Sequence, residues 1–173
     1  MRDSGFLLKY LILVVVQILL WNYFNFTQLL MLAILPVMVL CIPVRYGTVY
    51  SMCIAFATGF AVDFLAGGML GLTSLALVPV ALLRVPILQL VFGEELFSRG
   101  DNISVHKLGA GKMLTAIMLS TLIFLVIYVW ADGAGTRPFW FNALKVAISH
   151  MTSSLLSLFV AGILCPDSNQ RWT

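Results

Sequence analysis

From Lys112 to Trp130 the chain runs apolar almost without interruption, and no charge follows the lysine until Asp132. Other segments of similar length and character flank it on both sides. A bilayer hydrocarbon core of about 30 Å is crossed by about 20 apolar residues in a helix. A soluble helix of that length needs a charged face, and the run from Met113 to Trp130 has none. Composition leads to the same conclusion. The 173 residues are 61% hydrophobic and 10% charged, with a mean hydropathy of +1.04, whereas soluble domains carry about 25% charged residues. Much of the surface must therefore face something apolar, and the expected fold class is an all-α integral membrane protein.

Six spans fit the pattern, at about 6–23, 28–43, 47–63, 70–92, 112–130 and 141–164, and they form one transmembrane domain, 1–173. The first begins like a signal peptide, with Arg2 and Lys9 ahead of an apolar run. It ends in Trp21-Asn22-Tyr23-Phe24, not at a small-residue cleavage site, so it reads as a retained helix with an aromatic interfacial end. The second is short, with a kink expected at Pro36. The fourth contains Pro79, Arg84 and Pro86. Residues 93–111 make the longest polar connection. With the N-terminus in the cytoplasm, Arg2, Lys9, Arg45, Arg84, Arg99, Lys107, Lys112 and Arg171 fall on the inner side. Only Arg137 and Lys145 fall outside. The rule that cytoplasmic loops carry the excess of Lys and Arg thus puts both termini inside.

Several function classes lose support at this stage. The net charge of +3 is spread singly along the chain, with no basic run to suggest nucleic acid. Cys41, Cys53 and Cys165 have no metal-ligand spacing and read as small apolar residues. No glycine-rich phosphate loop is present, and no cofactor is expected. The run Glu94-Glu95-Leu96-Phe97-Ser98-Arg99 matches the E-E-x-x-x-R element of intramembrane CAAX-type proteases. That chemistry also needs two histidines, one in an F-x-x-x-H context. Asn102 precedes His106 by four and Val146 precedes His150 by four, so the protease reading is rejected and no catalytic residue is assigned.

Three groups of residues stand out. In the third span Ser51, Ala55, Gly59 and Asp63 recur every four positions, with Gly67 beyond, a spacing that lets helix backbones approach closely. Asp63 is a carboxylate near the outer end of its span, suited to a turn of backbone donors or an outer polar group. Arg84, two residues before Pro86, can bond carbonyls freed by the proline or reach a lipid phosphate. In the sixth span Lys145, Ser149, Ser153 and Ser157 form a polar row with His150 beside it, and the row should face inward.

The segment Gly59-Phe60-Ala61-Val62-Asp63-Phe64, followed by Gly71-Leu72 and Arg84, resembles the central signature of the rod shape-determining MreD family. The stretch Leu65 to Leu70 departs from that pattern, since many members place a polar residue or a proline there. The resemblance implies a non-enzymatic subunit of the bacterial inner membrane, with Gly59, Asp63, Gly67 and Gly71 in helix packing and Asp63 and Arg84 in partner or lipid contact. Implied partners are an MreC-like scaffold, a RodA-type glycosyltransferase, a class B penicillin-binding protein and, indirectly, MreB filaments. It also implies a six-helix bundle similar to the substrate-binding subunits of energy-coupling-factor transporters. That kinship gives the alternative, a small-molecule (vitamin)-binding subunit of a transporter. Such subunits dock through an Ala-x-x-x-Ala stripe in helix one, and residues 6–21 here contain no alanine.

Overall fold

The computed structural model describes residues 2–23, 30–43, 46–67, 69–93, 110–133 and 138–164. Among them are six helices: α1 (Arg2–Tyr23), α2 (Leu35–Leu40), α3 (Thr48–Ala66), α4 (Leu72–Phe92), α5 (Ala110–Gly133) and α6 (Phe139–Leu164). Five are long and apolar enough to cross a membrane, all but α2. They form a closed ring in the order α1, α3, α4, α5, α6, and α2 sits in the middle and touches all five.

The bundle is apolar on its outside and holds its polar side chains inside. Leu8 and Leu11 on α1, Phe60 and Phe64 on α3, and Leu155 and Phe159 on α6 are exposed, whereas Gln17, Asp63, Arg84 and Ser149 are buried. Lipid offers no hydrophobic drive to bring helices together, so polar contacts and close packing must do so. Tyr10 and Thr58 share a hydroxyl–hydroxyl bond of 3.0 Å between α1 and α3. Lys9 Nζ donates to the Ile163 carbonyl at 3.2 Å, which sets the start of α1 beside the end of α6. Trp21 meets Tyr128 edge-on at 5.6 Å, which sets the end of α1 beside the second half of α5.

The second expected span requires correction. Residues 28–43 read as one helix kinked at Pro36, but residues 30–34 are not helical, and the helix is only the six residues of α2. Pro36 lies in the first turn of α2, where its missing N–H is an unpaired helix donor in any case. From Ala33 to Ile42 every residue is buried. At about 3.3 Å per extended residue and about 1.5 Å per helical one, residues 30–42 reach about 28 Å. The segment thus threads the ring from its Trp21 end to its Arg84 end.

The α3–α4 hairpin is the tightest pairing. A Cβ on Gly59 would lie 2.6 Å from the Ser74 nitrogen and 2.7 Å from its Cα, so the backbones touch there and only glycine fits. Ser74 Oγ closes the contact by donating to the Phe56 carbonyl at 3.0 Å. The turn needs positive φ at two places, +68° at Gly67 and +88° at Gly71. Glycine adopts these angles without the steric penalty of a Cβ.

Candidate functional site

The segment at the centre of the molecule joins a non-helical stretch to α2 and is held by side chains from three surrounding helices. In lipid, backbone of this kind survives only where protein satisfies its polar groups. From α6, Ser149 Oγ accepts from the Met31 N–H at 2.9 Å and Ser153 Oγ accepts from the Ala33 N–H at 3.0 Å. Ser153 also donates to the Met31 carbonyl at 3.1 Å. From α1, Gln17 Nε2 and Trp21 Nε1 both donate to the Leu32 carbonyl at 2.9 Å, and Gln17 Oε1 accepts from the Ile34 N–H at 2.8 Å.

This is the alternation of a β-strand. Residues 31 and 33 turn their polar groups to α6 while 32 and 34 turn theirs to α1. The spacing of the serines explains the match. Four helical residues rise about 6 Å and two extended residues about 6.6 Å, so Ser149 and Ser153 meet alternate strand residues. The amide of Gln17 takes the place of a peptide on a neighbouring strand.

The other end of the segment is held by Arg84. Its guanidinium donates through Nε to the Leu40 carbonyl at 3.2 Å, through Nη1 to Ser51 Oγ at 3.1 Å, and through Nη2 to the Ile42 carbonyl. The arginine is 1% exposed. The expected contact with a lipid phosphate is therefore corrected, because the guanidinium lies inside the bundle. Two of the carbonyls it meets are the last of α2 and one just beyond it. Carbonyls at a helix end lack intrahelical donors and carry partial negative charge, which suits a cation.

Asp63 performs the opposite task. It accepts from the Thr73 N–H at 3.0 Å and from the Thr73 hydroxyl, and it is 1% exposed. Gly71, the N-cap of α4, has no side chain to bond the first-turn donors, so Asp63 caps that helix from across the hairpin. Its partner is the turn of backbone donors, the first of the two expected for it. Asp63 and Arg84 hold separate partners, the carboxylate at the α3–α4 turn and the guanidinium at the far end of both helices.

The row on α6 faces inward, with Lys145, Ser149, Ser153 and Ser157 all buried and His150 half-buried beside them. Its members do not share one site. Lys145 pairs with Asp132 at 3.4 Å, the two central serines hold residues 31–33, and neither Ser157 Oγ nor His150 Nδ1 bonds any described residue. Of the cysteines, Cys41 is buried and Cys53 exposed. Cys165, the Glu94-Glu95 run, His106, Arg45, Arg99, Lys107, Arg137 and Arg171 lie outside the described residues. Among the described residues no cluster of three His, Cys, Asp or Glu could hold a metal ion.

Gln17 and Thr73 are positions that the sequence reading did not single out, and it took Ser51 only as a helix-packing residue and Trp21 only as an interfacial aromatic. Gln17 did carry a signal, as the one side-chain amide within the apolar run from Tyr10 to Leu20. A polar group at that depth calls for a buried partner.

Fold and site together define a multi-pass helical membrane protein with a buried, strand-like central segment. No family model, curated protein or solved structure matches the chain.

Proposed function

We propose that the chain is a non-enzymatic scaffold subunit of the bacterial cell-wall elongation complex, resembling the MreD family and acting on cell shape and peptidoglycan synthesis. One observation carries this reading. Gly59, Asp63, Gly71 and Arg84, the residues of the resemblance, are those that set the α3–α4 hairpin and tie it to the central segment. A signature with such structural roles is consistent with a protein that presents a fixed surface to partners.

On this reading the central segment counts as a sixth crossing, and both termini are cytoplasmic. Lys9 and Lys112 then lie at the inner ends of their helices, and the Asp132–Lys145 pair lies at the outer end. The protein resides in the inner membrane. Its partners are lipid, the MreC-like scaffold, the RodA-type glycosyltransferase and the class B penicillin-binding protein, with MreB filaments reached indirectly. Kinship with energy-coupling-factor subunits belongs to the same proposal. The transport alternative is weaker because residues 33–42 of the chain itself fill the centre of the ring.

Purification from native membranes in a mild detergent, followed by proteomics and lipid analysis, tests the proposal. Wall-synthesis enzymes in the eluate are expected. An ATPase module with a bound vitamin would establish the alternative instead.

A further inference from the structure

Four buried side-chain atoms receive no hydrogen bond from any described residue: Thr121 Oγ1, Asn142 Oδ1, His150 Nδ1 and Ser157 Oγ. Asn142 differs from the others because an under-bonded cation lies one turn along the same helix face. Lys145 carries three N–H donors. Among the described residues it has one partner, Asp132 Oδ2 at 3.4 Å, although its side chain is 10% exposed. Arg84 and Asp63, both buried, each make more than one bond. The junction of α5 and α6 therefore combines donors to spare on Lys145, an unanswered acceptor on Asn142, and a partly accessible carboxylate on Asp132, 27% exposed.

The aromatic residues beside this junction give its depth. Trp130 packs edge-on against Phe139 at 5.7 Å, and Trp140 is 83% exposed. Tryptophans at helix ends mark the headgroup level of a bilayer. Asp132 follows Trp130 by two positions and Asn142 follows Trp140 by two, so both lie near the headgroup level of the bilayer.

We propose that the junction of α5 and α6 binds a phosphoethanolamine lipid, with the phosphate on Lys145 and the primary ammonium on Asn142 Oδ1 and Asp132. The charges of Lys145 and Asp132 cancel, which favours a headgroup that is itself neutral overall. A purely anionic headgroup would meet the Asp132 carboxylate. A trimethylated ammonium has no N–H to give Asn142. The long Lys145–Asp132 link is the one that opens to admit the headgroup. The proposal rests on the multi-pass membrane reading and is independent of the role in wall elongation.

Native mass spectrometry of the purified protein, titrated with defined lipids, provides the test. The series runs from phosphatidylethanolamine through its N-methyl and N,N-dimethyl forms to phosphatidylcholine, with phosphatidylglycerol and soluble glycerophosphoethanolamine alongside. Adduct formation should fall with each methyl group, to about tenfold between the ends, the scale of one charge-assisted hydrogen bond. Asn142→Leu should remove the preference along the methyl series, and Lys145→Met should weaken the adducts of every phospholipid in it. Equal binding along the methyl series of the wild-type protein would overturn the proposal, whether or not the variants fold. Phosphatidylglycerol binding as tightly would overturn it too, and equal binding of the soluble headgroup would rule out a lipid as its source. Failure of the protein to enter bilayers at all would instead refute the membrane reading beneath it.

Discussion

Replacing Gln17 by leucine keeps the size of the side chain and removes both ends of its amide. Two backbone groups are affected, to different degrees. The Leu32 carbonyl keeps the Trp21 Nε1 donor at 2.9 Å, whereas the Ile34 N–H loses the Gln17 acceptor at 2.8 Å. Ile34 is 1% exposed, so water cannot replace that acceptor without the bundle opening. A buried donor left unsatisfied costs about 1–3 kcal/mol. Interhelical polar contacts in membranes average about 0.6 and reach about 1.7 kcal/mol, which places the loss near 1–2 kcal/mol. Trp21→Phe removes one of two donors to the same carbonyl and should cost less than Gln17→Leu. Thermal unfolding in detergent gives the ranking, and hydrogen exchange resolves the site, with faster exchange expected at the Ile34 amide. If Gln17→Leu matched the wild type in both measurements, Gln17 would not hold this backbone and the clasp would be wrong.

Gly59→Leu should lower the melting temperature or the yield, because overpacking typically costs about 1–3 kcal/mol and here the obstacle is the Ser74 backbone. Asp63→Asn keeps the shape and an acceptor but removes the charge from the start of α4, a loss of about 0.3–1 kcal/mol by the scale of a charge at a helix terminus, read by thermal unfolding. Arg84→Gln leaves the Leu40 or Ile42 carbonyl without its donor, at about 1–3 kcal/mol. In cells, Asp63→Asn and Arg84→Gln should each reduce recovery of wall-synthesis partners and round the cells at wild-type protein levels, and normal shape with full recovery would leave both charges as internal anchors only. On a background free of native cysteines, Met69→Cys should label in intact spheroplasts and Gly111→Cys only after permeabilisation. The reverse pattern would invert the topology.

The long helices could be read from the sequence because their signal is simple, an apolar run of bilayer length. Gly59 and the serine row were legible for a related reason, since a small or polar residue every four positions marks one helix face. Residues 30–34 gave no such signal. A short, wholly apolar run lacks the alternation that distinguishes strand from helix, so Met31-Leu32-Ala33-Ile34 reads equally well as either. Pro36 then suggested a kink, although it begins a helix. The partners of Arg84 were out of reach for another reason. Leu40 and Ile42 lie more than forty positions before it, and only the packed ring brings them together. The role of Asp63 was closer to hand, since Thr73 follows it across a single glycine-bounded turn.

The strand-like centre is tested most directly by backbone carbon chemical shifts of residues 30–43, measured by solid-state magnetic resonance on the labelled protein in lipid bilayers. Such shifts report local φ and ψ without a mutation or a probe. The expected result is strand-like values at Met31, Leu32 and Ala33 and helical values from Pro36 to Leu40. Unbroken helical shifts from residue 30 to residue 40 would contradict it, and the clasp formed by Gln17, Trp21, Ser149 and Ser153 would then have no backbone to hold.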